Sequence, residues 1–193
     1  MDLHVHSTAS PCSELTLKEI FEAAPSYRIE CIVLTDHNVI ANFAEEFKIA
    51  RKYDIKVFLG YELTVLEGEL LVYGLKNVLK PNRPANIMIE AIHRAGGVAV
   101  AAHPFREWPV YLGDKVYDLE VDGIEVSDRL RFSIDENALA AAFKKHVAAT
   151  AGSDAHHLSE FGWCCTEFSD RIDTVSQLVE ALKNQRCEPK LIR

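Results

Sequence analysis

Apolar residues fall in short runs that alternate with helix-spaced segments along the whole chain. Residues 3–6, 31–35, 98–102, 121–126 and 147–151 read as short strands, most of them apolar at consecutive positions, as strands covered on both faces are. Residues 56–63 and 69–75 read as two more, joined by a turn at Glu67-Gly68. The spacing between them predicts helices over 17–24, 40–53, 85–95, 133–145 and 172–184. Thr16 is suited to cap the first of these, with Glu19 three residues on as its capping-box partner, and Gly96-Gly97 ends the third. Strands alternating with helices indicate parallel βαβ units. Five or six of them suit a small barrel or a doubly wound sheet. No linker, repeat or low-complexity segment divides the chain, so residues 1–193 are expected to form one domain.

The polar positions that end these runs decide between the two architectures. Asp2-Leu3-His4-Val5-His6 opens the chain, and side chains two apart on a strand share a face, so His4 and His6 aim at one point. Thr35-Asp36-His37, Gly60-Tyr61-Glu62, Ala102-His103-Pro104 and Gly152-Ser153-Asp154-Ala155-His156 each follow an apolar run. In a barrel such strand ends converge on one face. A flat sheet would spread them by ~4.8 Å per strand, too far for one compact cluster. The barrel is therefore the expected fold.

Five of the eight histidines stand at these ends, with the carboxylates Glu62 and Asp154. Taken singly, each has an ordinary explanation: a turn histidine, a salt-bridged glutamate, an Asx turn at Asp154. Taken together they form a nitrogen and oxygen donor set without a thiolate cluster, which suits zinc, manganese or iron. Seven donors exceed the four of a closed structural zinc site, so two or three adjacent cations are expected, with Glu62 bridging. Neighbouring cations of this kind serve phosphoester hydrolysis. His93, His146 and His157 read as surface residues, and Asp36 as a partner that orients an imidazole.

Composition narrows the function. The chain has 193 residues, 48% of them hydrophobic and 26% charged, enough for a sizeable core. A net charge of −8 argues against extended nucleic acid, whose backbone calls for basic surface. Five cysteines without a C-x-x-C pair suggest reduced thiols and a cytoplasmic location. No run approaches the ~20 apolar residues of a membrane span, and the first motif stands where a signal peptide would be.

The motifs resemble those of the PHP family, named for polymerase and histidinol phosphatase domains. The matching elements are Asp2-Leu3-His4-Val5-His6-Ser7, Thr35-Asp36-His37-Asn38, Gly60-Tyr61-Glu62, Ala102-His103-Pro104-Phe105 and Gly152-Ser153-Asp154-Ala155-His156, spread over essentially the whole chain. The resemblance implies an α/β fold, a distorted (β/α)7 barrel, and metal-dependent phosphoesterase activity. It also implies that His4, His6, Glu62 and Asp154 hold the inner metals and that His37, His103 and His156 supply the other ligands. Two positions depart from the family. Ser10-Pro11-Cys12-Ser13 stands where an Asp or His is frequent, which leaves Cys12 as a candidate thiolate. Glu125 stands near a further ligand position, but a period of two can turn it away.

The expected reaction is hydrolysis of a phosphate ester, with a small phosphomonoester favoured, by water activated at a two- or three-metal centre. Glu62 is expected to bridge, Asp154 to bind metal and accept the water's proton, and Arg106 to neutralise phosphoryl oxygens. Arg129 and Arg131 are weaker candidates for the phosphate, and Phe105, Trp108, Tyr111 and Trp163 for stacking on a ring. The rival readings are a nuclease or phosphodiesterase on the same site, an amidohydrolase, and a metal-stabilised binding module.

Overall fold

Short apolar runs become strands here because both of their faces are covered. The computed structural model describes residues 1–41, 47–107 and 110–192. Its main sheet contains β1 (Asp2–Val5), β2 (Cys31–Leu34), β3 (Lys56–Val65), β4 (Gly68–Tyr73), β5 (Val98–Ala101), β6 (Gly123–Glu125) and, after a small ribbon of β7 (Ser127–Asp128) and β8 (Ser133–Ile134), β9 (Ala148–Thr150). The spatial order is β1-β2-β3-β4-β5-β6-β9. A hairpin, β10 (Cys164–Phe168) with β11 (Cys187–Leu191), completes the strands. The helices are α1 (Leu17–Ala23), α2 (Phe47–Ala50), α3 (Ala85–Arg94), α4 (Glu136–Lys145) and α5 (Val175–Lys183).

The sheet curls around an interior of Leu3, Val33, Leu71, Tyr73, Val98, Val100 and Ala148, closed by Leu178 and Leu182 of α5. Tyr73 spans that interior, its hydroxyl donating to the Leu3 carbonyl at 2.8 Å. Outside, Leu17, Ile20 and Phe21 of α1 cover β1 and β2, while α3 and α4 cover β4 to β6. Apolar contacts thus cover most of the sheet, with Lys56, Val57, Phe58 and Leu59 at the start of β3 only half-buried.

The pairing is mixed rather than all parallel. β4 runs antiparallel to both β3 and β5, because the Glu67-Gly68 turn returns the chain directly instead of through a helix. The remaining pairs in the sheet are parallel. The curl closes by a few contacts past the end of β9. Asp154 N donates to His4 O at 2.7 Å and His6 N to Ala155 O at 3.1 Å. Gly152 allows that approach, since a Cβ there would lie 2.4 Å from the His4 Cβ.

Several boundaries differ from the sequence reading. The Thr16–Glu19 capping box forms as expected. The helix expected over 133–145 begins only at Glu136, because Asp135 caps it by accepting from Asn137 N and Ala138 N, while Ser133–Ile134 pairs with Ser127–Asp128. Of the helix expected over 40–53, Ile40 and Ala41 are not helical, 42–46 lie outside the described residues, and Phe47–Ala50 runs into a 3-10 turn at Arg51–Tyr53. The closing helix starts at Val175, behind Thr174 as its cap. The β10–β11 hairpin has no counterpart in the sequence reading. All five cysteines are free, and no helix among the described residues is long and apolar enough to cross a membrane.

Candidate metal centre

The end of β1, the interior of β3 and the turns after β2, β5 and β9 bring all seven expected donors into one cluster. His4 and His6 are fully buried, and Glu62 and Asp154 nearly so. His4 Nε2 lies 3.0 Å from His6 Nε2, and 3.4 Å from both Glu62 Oε2 and Asp154 Oδ1. His6 Nε2 lies 3.2 Å and 3.3 Å from the same two oxygens. Around an ion with bonds of ~2.1 Å, neighbouring ligands sit ~3.0–3.4 Å apart, so these four donors have the spacing of a coordination shell.

Proton positions support the same conclusion. His4 Nδ1 faces Glu125 at 3.0 and 3.1 Å, and His6 Nδ1 faces Ser10 Oγ at 3.2 Å. The Ser10 hydroxyl already donates to Asp36 Oδ1 at 2.7 Å, which leaves its oxygen to accept. Each ring therefore keeps a proton on Nδ1 and turns Nε2 inward, the orientation a metal ligand needs once Nε2 gives up its own proton. Two Nε2 atoms turned inward 3.0 Å apart, beside the Glu62 and Asp154 carboxylates, call for positive charge there, as ring protons or as a cation in their place. The donor set fits divalent cations.

His37, His103 and His156 surround this pair. His37 Nδ1 lies 3.1 Å from Glu62 Oε2, and His103 Nε2 lies 3.1 Å from Glu62 Oε1. His156 donates from Nδ1 to its neighbour's carbonyl, Asp154 O, at 2.9 Å. His6, His37 and His156 form one of four donor groups that can hold an ion, with donor atoms within 4.8 Å of one another. Tight turns aim these residues. Asn38, His103 and Asp154 have φ of 55°, 28° and 52°. Asn and Asp tolerate that region, while His103 carries strain of order 1–3 kcal/mol.

The charges are strongly coupled. Burial opposes a proton on His4, but the carboxylates of Glu125, Asp154 and Glu62 prevail and hold its pKa well above the ordinary value. His6 is likewise raised, to about 9, against its burial, by hydrogen bonds to Asp154 and Glu62. Burial and the neighbouring His6 charge push His156 down to about 4, and burial lowers His37 too. Burial resists ionisation of Glu62 and Asp154, yet the surrounding imidazoles hold both well below the usual carboxylate range, with Arg106 adding to the effect at Asp154.

Asp154 joins the cluster to a cationic wall. Arg106 Nη1 reaches its Oδ2 at 2.5 Å and Arg129 Nε reaches the same oxygen at 3.3 Å. With Oδ1 on the histidines and Oδ2 under two guanidiniums, Asp154 is a poor proton acceptor, which counts against the basic role expected for it. Arg106 is 9% exposed; its Nε and Nη2 find no hydrogen-bond partner among the described residues, although Nε lies 3.9 Å from the buried Asp128 carboxylate. Two buried N–H groups without a hydrogen bond, beside a cation cluster, form a fork that fits an oxyanion.

Other expectations resolve differently. Glu125 does turn toward the cluster, but it accepts from His4 and from His103 N (3.0 Å), so it orients ligands from behind. Asp36 touches no imidazole directly; it holds Ser7 and Ser10, and Ser10 steadies His6. Cys12 is exposed and joins none of the donor groups. Arg131 is 75% exposed, and its Nε lies 3.5 Å from the buried Asp128. Trp163 is core, its indole N–H donating to Ser153 O, so it offers no stacking face. Phe105 packs against the apolar core and Tyr111 is exposed, while Trp108 lies outside the described residues. His93 pairs with Asp122 at 2.8 Å.

Two carboxylates escaped the sequence reading. Glu160 receives Arg129 on one oxygen at 2.7 Å and the His156 and His157 amides on the other at 2.8 and 3.1 Å, tying the cationic wall to the His156 turn. Glu69 lies beside His37 and His103, and burial together with the neighbouring Glu62 raises its pKa to about 7. The only available signal for Glu160 was its place four residues after His156.

A family model for the PHP domain matches residues 2–185. The uncharacterised protein MJ1587 of Methanocaldococcus jannaschii is 32% identical over 135 residues, 65% of this chain and 79% of that one. A DNA polymerase III of the PolC type from Bacillus subtilis is 32% identical over 68 residues, 35% of this chain but 5% of the polymerase. Among solved structures, PsfC from Pseudomonas syringae PB-5123 superposes with a TM-score of 0.73 at 19% identity, covering 98% of this chain and 90% of PsfC. An amidohydrolase from Chromobacterium violaceum, solved with bound sulfate and no metal, gives 0.64 at 18% identity, covering 100% and 98%. A Bifidobacterium adolescentis protein provisionally described as a metal-dependent phosphoesterase gives 0.64 at 17% identity, covering 81% and 87%.

Proposed function

The chain belongs to the PHP domain family, and from that premise we propose that it is a hydrolase that cleaves small phosphomonoesters at a centre of two or three divalent cations, zinc, manganese or iron. His4, His6, Glu62, Asp154, His37, His103 and His156 would hold the ions, with Glu62 shared between positions. When bound, such cations supply Lewis acidity, making water a nucleophile at neutral pH and drawing charge from phosphoryl oxygens.

The chain's own residues do the rest. Glu125 and Ser10 hold His4 and His6 in the tautomer that donates from Nε2. Asp154 Oδ2 anchors Arg106 and Arg129 at the edge of the cluster. Arg106 then offers Nε and Nη2 to two non-bridging oxygens of a terminal phosphoryl group and stabilises the charge that builds there. That orphaned, buried pair of N–H groups is the observation that carries the reading. A net charge of −8 disfavours extended nucleic acid as substrate. The five free thiols support a cytoplasmic location.

The test is phosphate release from a panel of phosphomonoesters and phosphodiesters, using chelator-stripped protein reloaded with Mn²⁺ or Zn²⁺. Faster release from monoesters is expected. Preferential cleavage of diesters would shift the reading to a phosphodiesterase, and no cleavage of any ester by the loaded protein would refute it.

A further inference from the structure

Resting on the reading of the cluster as a cation centre, we propose that Glu69 is itself a cation donor. With His37, His103 and Glu62 it would complete a second position of two imidazoles and two carboxylates.

The hairpin register sets this up. In the antiparallel pair, Thr64 faces Glu69 and Glu62 faces Leu71. Residues opposite each other share a face, as do residues two apart. Glu62 and Glu69 are therefore diagonal neighbours on the same face. The turn after β2 is stapled to this hairpin: Asn38 exchanges two side-chain bonds with Thr64, both at 2.9 Å, and Asn38 N donates to Glu62 O at 2.8 Å. That staple brings the His37 ring against both carboxylates. The turn after β5 brings His103 from the other side.

Each imidazole nitrogen then meets both acids. His37 Nδ1 is 3.1 Å from Glu62 and 3.4 Å from Glu69, and His103 Nε2 is 3.1 Å and 3.8 Å from the same two residues. The donor atoms of His37, Glu62 and Glu69 all lie within 4.8 Å of one another. A ring nitrogen carries one proton or one lone pair, so it serves only one carboxylate well. Adjacent carboxylates repel unless positive charge lies between them. Among the described residues, the ion-pair partners recorded for Glu69 are these two imidazoles, with no Lys or Arg. Its side chain is 24% exposed, which places it at the mouth of the cluster, where an ion can enter. Nitrogen and oxygen donors in equal number suit zinc, manganese or iron.

The test compares the wild-type protein with Glu69→Gln, which keeps shape and removes charge. Both are stripped with chelator and titrated with Mn²⁺ or Zn²⁺ in equilibrium dialysis, with ions counted by mass spectrometry. Far-UV circular dichroism of the stripped proteins checks that both are folded, and a Co²⁺-loaded sample of each gives an independent absorption signature. The expected result is that Glu69→Gln loses one ion per chain, or binds it about 100-fold more weakly, the upper end of what losing a ligand's supporting partner costs, with a changed cobalt spectrum. Equal ion counts, equal affinities and an unchanged spectrum would overturn the assignment. So would a variant that loses turnover while keeping all its ions. Neither result bears on whether phosphomonoesters are cleaved, which the ester panel decides separately.

Discussion

The two ends of the curled sheet both carry charged side chains and treat them in opposite ways. At the C-terminal ends of the strands, His4, His6, Glu62, Glu125 and Asp154 are buried, and each meets several partners at once. At the opposite end, a cavity of about 890 Å³ is lined by Met1, Arg28, Lys56, Glu167, Arg171 and Glu188. Charges there sit near solvent and pair locally, as in Lys56–Asp173 and Lys190–Glu167. Burying a charge is costly unless it is compensated, while exposed pairs add little. Size alone would point to the large cavity. The concentration of buried, multiply shared donors points to the other end, which is also where barrel enzymes keep their chemistry.

The contrast can be broken by substitutions at each end. The largest effect is expected from Asp154→Asn, which removes a charged donor and loosens Arg106 and Arg129, the latter still held by Glu160. Turnover of a phosphomonoester should fall by about 10³-fold or more, the upper end for losing one electrostatic group at a reacting centre, with the circular dichroism spectrum retained. Near-normal rates would remove Asp154 from the site. Arg106→Ala should lower kcat/KM by about 10²–10³-fold. Arg106→Lys should rescue little of it, because a lysine cannot present two fixed N–H groups; full rescue would mean that only charge is needed.

Glu125→Gln comes next. It leaves a hydrogen-bonding partner behind His4 but weakens the acceptor, so metal affinity should drop about 10–100-fold, measured by competition with a chromophoric chelator. An unchanged affinity would show that the orientation of His4 does not depend on that carboxylate. The smallest effect is expected at the far end: Lys56→Ala should leave turnover and metal content unchanged, because exposed ion pairs contribute little. A loss of activity there would mean the two ends are coupled.

The sequence exposed one layer of the site and hid the next. The direct donors were legible because their spacing is local: His4 and His6 stand two apart on an extended segment and share a face, whereas Asp154 and His156 lie in the turn past β9, where Asp154 has φ of 52°. Their supporting partners depend on contacts between distant segments. Glu125 could not be oriented because β6 is three residues long and its neighbour β9 returns only after α4. Glu69 starts a strand that reads as an ordinary hairpin arm, and only the pairing of Thr64 with Glu69 brings it to His37. Arg106 was noticed for its distance from His103, but its unpaired N–H groups emerge only once Asp154 takes Nη1. In the fold, the alternation of strands and helices was readable. The reversed β4 lay behind the Glu67-Gly68 turn, and the β10–β11 hairpin was obscured because its arms lack apolar periodicity and sit eighteen residues apart, on either side of α5.

The most direct test of the central claim is an anomalous difference map from crystals of the protein grown with Mn²⁺ or Zn²⁺. The account predicts strong peaks enclosed by His4, His6, Glu62 and Asp154, with a neighbouring peak beside His37 and His103. Crystals that diffract well and contain the metal, yet show no peak among these residues, would contradict it.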